Sequence, residues 1–147
     1  MPENELQRFI DAQARDGVYE QALAELRSGR KRGHWIWFVF PQIAGLGFSE
    51  MSRRYAIGSL AEAGAYLAHP VLGARLIACA EALLALPGHD PVAVMGEIDA
   101  IKLRSSMTLF ARADGADPVF AQVLERYFDG VADPATEQRI GGQPQAS

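Results

Sequence analysis

Apolar residues recur along this chain at three- and four-residue steps, the spacing that lines one face of an α-helix. Leu6, Phe9, Ile10 and Gln13 begin one stripe, Tyr19, Leu23 and Leu26 a second, and Leu72, Leu76, Ala80, Leu83 and Leu84 a third. Val119, Val123, Leu124, Tyr127 and Phe128 make a further amphipathic helix. The stretch Glu97 to Ala113 carries two stripes, one of Ile98, Ile101, Ser105 and Leu109 and one of Leu103, Met107, Phe110 and Ala111. It therefore predicts a central helix, buried nearly all round.

Local signals mark where these helices begin and end. In Asp90-Pro91, Asp117-Pro118 and Asp133-Pro134 the aspartate can cap first-turn amides and proline tolerates the first helical position, so each pair predicts a helix start. Ser59 and Glu62 read as a capping box ahead of Leu60 to Ala68, and Gly29 and Gly130 stand where glycine commonly ends a helix. Gly45-Leu46-Gly47-Phe48-Ser49 predicts a turn with Ser49 as the cap of a helix from Glu50. It lacks the lysine-serine ending of a phosphate-binding loop.

One segment has no helical period. Trp35 to Phe40 is a continuous apolar run ending at Pro41, which fits a buried strand or a buried short helix. A lone strand leaves its backbone groups unpaired, and no second strand is in sight, so helix is favoured. The pattern as a whole predicts an all-α fold: a single multi-helix domain over residues 1–140, a central buried helix near residues 97–113, and a frayed polar tail over residues 141–147.

Composition agrees and narrows the partners. At 147 residues, 49% hydrophobic and 22% charged, the chain is long enough for its own core. A formal charge of -4 gives no global basic field, which disfavours nucleic acid and anionic membranes as partners. No apolar run approaches the length of a membrane span, and Met1 to Phe9 lacks the apolar segment of a secretory signal, so a cytoplasmic location is expected. Cys79 is the single cysteine and reads as an inert buried thiol. His34, His69 and His89 follow no ligand spacing, so neither metal nor cofactor is called for. The pattern carries no signature of an oligomeric state.

Two segments hold candidate chemistry. Arg30-Lys31-Arg32-Gly33-His34-Trp35-Ile36-Trp37 sets cations beside indole rings and a histidine, the groups that hold a phosphate and stack an aromatic base. The alternative is that Trp35, Trp37 and Phe40 are core anchors and His34 a satisfied polar residue. Asp99 to Phe110 puts Lys102, Arg104, Ser105, Ser106 and Thr108 on a helix expected to be central. There they either line a wet pocket, or bond back to the preceding turn and pair at the surface, as Asp99 and Lys102 would three residues apart.

The motifs His34-Trp35-Ile36-Trp37-Phe38-Val39-Phe40-Pro41-Gln42, Gly45-Leu46-Gly47, Tyr66-Leu67-Ala68-His69-Pro70-Val71-Leu72-Gly73 and Lys102 to Phe110, in that order, resemble a small bacterial domain-of-unknown-function family often labelled calpastatin. The resemblance spans Leu6 to Ile140 and implies an all-helical domain without an established activity. A calpain inhibitor of that type is a disordered polar chain, unlike this composition. The layout is also similar to the NADAR group, helical proteins linked to NAD and ADP-ribose metabolism, but Gly33 precedes His34 where a glutamate-histidine pair belongs.

Two functions follow as expectations. In the first, a pocket takes a small phosphate-bearing, nucleotide-like ligand and acts as an N-glycosidic or ADP-ribose hydrolase. His34 or Asp99 handles a proton, Lys102 and Arg104 neutralise phosphate, Trp37 stacks a base, and Arg32, Trp35, Gln42 and Ser105 complete the site. In the second, the protein is a non-catalytic adaptor with the aromatic segment as core or as a partner surface.

Overall fold

The structure is a computed structural model and describes residues 2–141. Helix α1 (Pro2–Ala14) runs through a 3-10 turn (Arg15–Gly17) into α2 (Val18–Ser28), the chain reversing at Asp16 and Gly17, both at positive φ. The expected helical reading of the aromatic run holds: α3 (Ile36–Val39) is a single turn. Helix α4 (Glu50–Arg54) follows, with Ser49 as its cap, accepting from Ser52 N at 3.1 Å. A parallel bridge, Ile43 to Ile57, ties the loops on either side of it.

Helices α5 (Leu60–Ala68) and α6 (Leu72–Ala85) meet at a 90° bend. Gly73 makes the bend possible, because a Cβ there would stand 2.1 Å from the Leu67 carbonyl oxygen. Ser59 caps α5 by accepting from Glu62 N, while the Glu62 carboxylate reaches back to Gly58 N, one residue earlier than a capping box requires. His69, which follows no ligand spacing, is a cap as well: its Nδ1 accepts from Val71 N and Leu72 N at the start of α6.

The three Asp-Pro pairs open α7 (Pro91–Met95), α9 (Pro118–Phe128) and α10 (Pro134–Gly141). Asp90 accepts from Val92 N and Ala93 N, Asp117 from Val119 N, and Asp133 from Thr136 N. Gly29 ends α2 in the left-handed region, whereas at the end of α9 it is Asp129 that takes that conformation first, with Gly130 following. The expected tail over residues 141–147 lies, from residue 142 on, outside the described residues.

Helix α8 (Glu97–Ala111) is the centre, packed by α5, α7, α9 and α10. Its second half is enclosed on every side, from Ser105 to Phe110. Its first half departs from the expectation of burial all round: Ile98 and Ile101 are 70% and 64% exposed. Helix α7 covers only one side of these opening turns, so the stripe they begin reaches solvent before it reaches the core. No single helix among the described residues is long and apolar enough to cross a membrane.

Candidate functional site

The first half of α8, left uncovered, forms one wall of a groove. The other wall is the connection from α2 to α3, and its course is set by one carboxylate. Glu25 Oε1 accepts from Arg32 N (2.8 Å), Gly33 N (2.9 Å) and Trp35 Nε1 (2.9 Å), while Oε2 accepts from Gln21. Burial works to raise its pKa, but the donors surrounding the charged form win and hold it at about 2. Gly33 is required here, because a Cβ would meet Trp35 Cδ1 at 2.9 Å and Gln21 Nε2 at 3.0 Å.

Lys31 crosses from this connection to α8. Its backbone N donates to Val94 O at 2.8 Å, and its ammonium lies 2.7 Å from Asp99 Oδ2, with 6% of the side chain exposed. Asp99 Oδ1 faces Lys102 at 3.8 Å, so both oxygens are engaged by ammonium groups. The Lys102 ammonium in turn sits 5.1 Å from the centroid of the Trp37 ring.

Between these walls lies an open groove of about 480 Å³ whose lining includes His34, Ile36, Trp37, Met95, Asp99 and Lys102. Its floor reaches the start of α8, where Gly96 supplies no side-chain cap to the first-turn amides. Trp37 Nε1 is buried without a hydrogen-bond partner, an orphaned donor in the same lining. Among the described residues the His34 ring makes no hydrogen bond or ion pair, and no group of three or more His, Cys, Asp or Glu is placed to hold a metal ion.

The match to a family profile, described as "Protein of unknown function (DUF1810)", runs over residues 3–140. The chain belongs to the DUF1810 family. A family of unknown function is what the motifs from His34 to Phe110 led one to expect. No curated protein matches this DUF1810 chain. The crystal structure of a conserved hypothetical protein, Rv1873 of Mycobacterium tuberculosis, is 47% identical to it, with a TM-score of 0.90, the match covering 95% of this chain and 98% of that one.

The DUF1810 fold brings His34, Trp37, Asp99 and Lys102 into one groove; Arg32, two residues before His34, is exposed and absent from the groove lining. Four other expected site residues stand elsewhere. Trp35 is core, 1% exposed. Gln42 is absent from the groove lining, and its carbonyl accepts from Ile57 N beside the bridge. Arg104 donates to the carbonyls of Val131 (2.8 Å) and Ala132 (3.0 Å), and Ser105 to Asp133 Oδ2 (3.1 Å), which ties both to the start of α10. Thr108 bonds back to Arg104 O, as a serine or threonine within a helix commonly does. Glu25 and the structural role of Lys31 escape sequence reasoning, since nothing local marks a carboxylate that accepts from amides seven and eight residues ahead. Cys79 is buried, and burial pushes its thiol up to about 12, the inert group expected.

Proposed function

We propose that the groove between α3 and the opening turns of α8 binds a small nucleotide-like ligand. The observation that carries this reading is that His34 and Lys102, 68 positions apart in the chain, line one cavity together with the Trp37 ring. Lys102 supplies the charge for a phosphate, and the uncapped amides at the start of α8 support an anion in the same place. Asp99, engaged by two lysines, positions Lys102 and leaves proton handling to His34. The planar part of the ligand takes the Trp37 ring, which Lys102 now covers at 5.1 Å. The ammonium therefore moves off the ring toward the phosphate on binding.

The same set serves hydrolysis of an N-glycosidic bond. Water's hydroxyl adds to the anomeric carbon as the carbon-nitrogen bond breaks, and the remaining proton passes through His34 to the leaving nitrogen. A second reading, a non-catalytic adaptor, is favoured by Ile98, in the groove lining, and Ile101, both exposed and one turn apart. Thermal denaturation with AMP, NAD and ADP-ribose separates the two. A ligand at about 100 times its Kd adds about 2.7 kcal/mol, which raises Tm by roughly 5–10 °C. Lys102→Ala removes that rise, and liquid chromatography of the mixture reads hydrolysis. An unmoved Tm with every nucleotide overturns the reading in favour of the adaptor.

A further inference from the structure

The connection that ends in His34 carries two further cations, Arg30 and Arg32. Along the connection into α3 burial alternates: Arg30, Arg32 and His34 are exposed, whereas Lys31 and Trp35 turn inward, one to Asp99 and the other into the core. Inner bonds hold the alternation, from Lys31 N to Val94 O and from the amides of Arg32 and Gly33 to Glu25. The three exposed side chains thus lie along one short segment, which bends at Gly33 and His34. Successive ones are two residues apart, a Cα separation of no more than about 7 Å.

Arg30 and Arg32 are also uncommitted. Among the described residues neither guanidinium makes a hydrogen bond or ion pair, a state they share with exposed Arg15 and Arg53 on other elements, whereas those of Arg75, Arg104, Arg112, Arg126 and Arg139 are each held by a side chain or a carbonyl. Arg27 is exposed as well, but it stands on the last turn of α2 and not on the connection. The nearby carboxylates are largely accounted for: Glu25 is taken by amides and Asp99 by two lysines, which leaves Glu97 as the exposed acid of the lining. Guanidinium groups pair with phosphate oxygens through parallel N–H donors, and a single phosphate at Lys102 would leave both arginines unused.

Resting on the nucleotide reading above, we propose that Arg30 and Arg32 extend the groove into a track for further phosphates, so that its ligand is a nucleoside di- or triphosphate. The test is calorimetric titration of the full chain at low salt, with divalent metal chelated, using AMP, ADP, ATP and inorganic tripolyphosphate. Each added phosphate tightens binding about threefold, the scale of an exposed ion pair. The double variant Arg30→Ser, Arg32→Ser melts as the parent does, binds AMP within about twofold of it, and binds ATP no more tightly than AMP. Equal affinity of the parent for AMP, ADP and ATP, or a double variant that keeps the parent's preference for ATP, overturns the track and leaves the nucleotide reading standing. No binding of any nucleotide removes the reading and the track together. Tighter binding of a single-stranded oligoribonucleotide than of ATP gives the arginines to nucleic acid and overturns the proposal.

Discussion

Lys31 and Asp99 meet at 2.7 Å with most of both side chains out of solvent, and their contact joins the connection after α2 to the first turn of α8. The ammonium also lies 4.8 Å from the Trp35 ring centroid and donates to the Gly33 carbonyl. Replacing one partner of such a pair strands the other. Lys31→Met is therefore expected to cost about 2–3 kcal/mol, below the upper range for fully buried pairs because 19% of Asp99 is exposed. Lys102→Met, which removes a contact at 3.8 Å from a more exposed chain, costs less than about 1 kcal/mol. Urea denaturation of the two variants reads the difference, and equal losses would refute the division of labour between the two lysines.

Glu25 predicts an acid-sensitive step. Its folded pKa of about 2 lies below the ordinary carboxyl value of 4.5. A depressed carboxylate contributes stability that is fully present above the unfolded value and is lost as pH falls from about 4.5 toward 2. Glu25→Gln keeps an acceptor but not the charge, and at neutral pH it should cost about 1–2 kcal/mol. The Tm curves of parent and variant converge as pH falls through this window. A constant gap between them down to pH 2 would show that the carboxylate's charge is not what holds the loop.

What could be read from the sequence follows the range of each interaction. The Asp-Pro caps were legible because donor and acceptor lie within three residues of one another, and the helical stripes because each face follows from its own spacing. The environment of the aromatic run was not legible. Trp35 and Trp37 are chemically alike, but the first packs in the core with its Nε1 on Glu25 and the second lines the groove under Lys102, partners far away in the chain. Ile98 and Ile101 fit the buried stripe by period, yet exposure depends on where α7 stops. Polar residues on a central helix need partners, and their residue types alone say so. Whether those partners were a ligand or another helix depended on α10, some 28 positions away.

Two glycines separate conformational freedom from close approach. Gly64 lies inside α5, and a Cβ there would meet nothing nearer than Asp114 O at 3.6 Å, an ordinary contact. Gly64→Ala should therefore stabilise by about 0.5–1 kcal/mol through the unfolded chain. At Gly73 the same methyl would stand 2.1 Å from the Leu67 carbonyl oxygen, which is backbone and cannot swing aside. Gly73→Ala should cost about 3 kcal/mol. Thermal melts that shift the same way for both variants would contradict the tight crossing of α5 and α6.

Asp133 is where the structure separates stability from binding. Its Oδ2 accepts from Ser105 Oγ (3.1 Å), Thr136 N (2.9 Å) and Thr136 Oγ1 (2.6 Å), and its backbone N donates to Thr108 Oγ1 (2.9 Å), all in buried surroundings. Asp133→Ala removes the cap of α10 and strands two hydroxyls, an expected loss of about 2–3 kcal/mol. Ser105→Ala removes one donor to an oxygen that keeps two others, and should cost about 1 kcal/mol. Because Ser105 turns toward α10 and away from the groove, its variant should bind AMP with the parent's affinity once both are folded, whereas Lys102→Ala should not. Calorimetry on the two variants decides the matter: a Ser105→Ala protein that is stable but has lost AMP would return that hydroxyl to the ligand site.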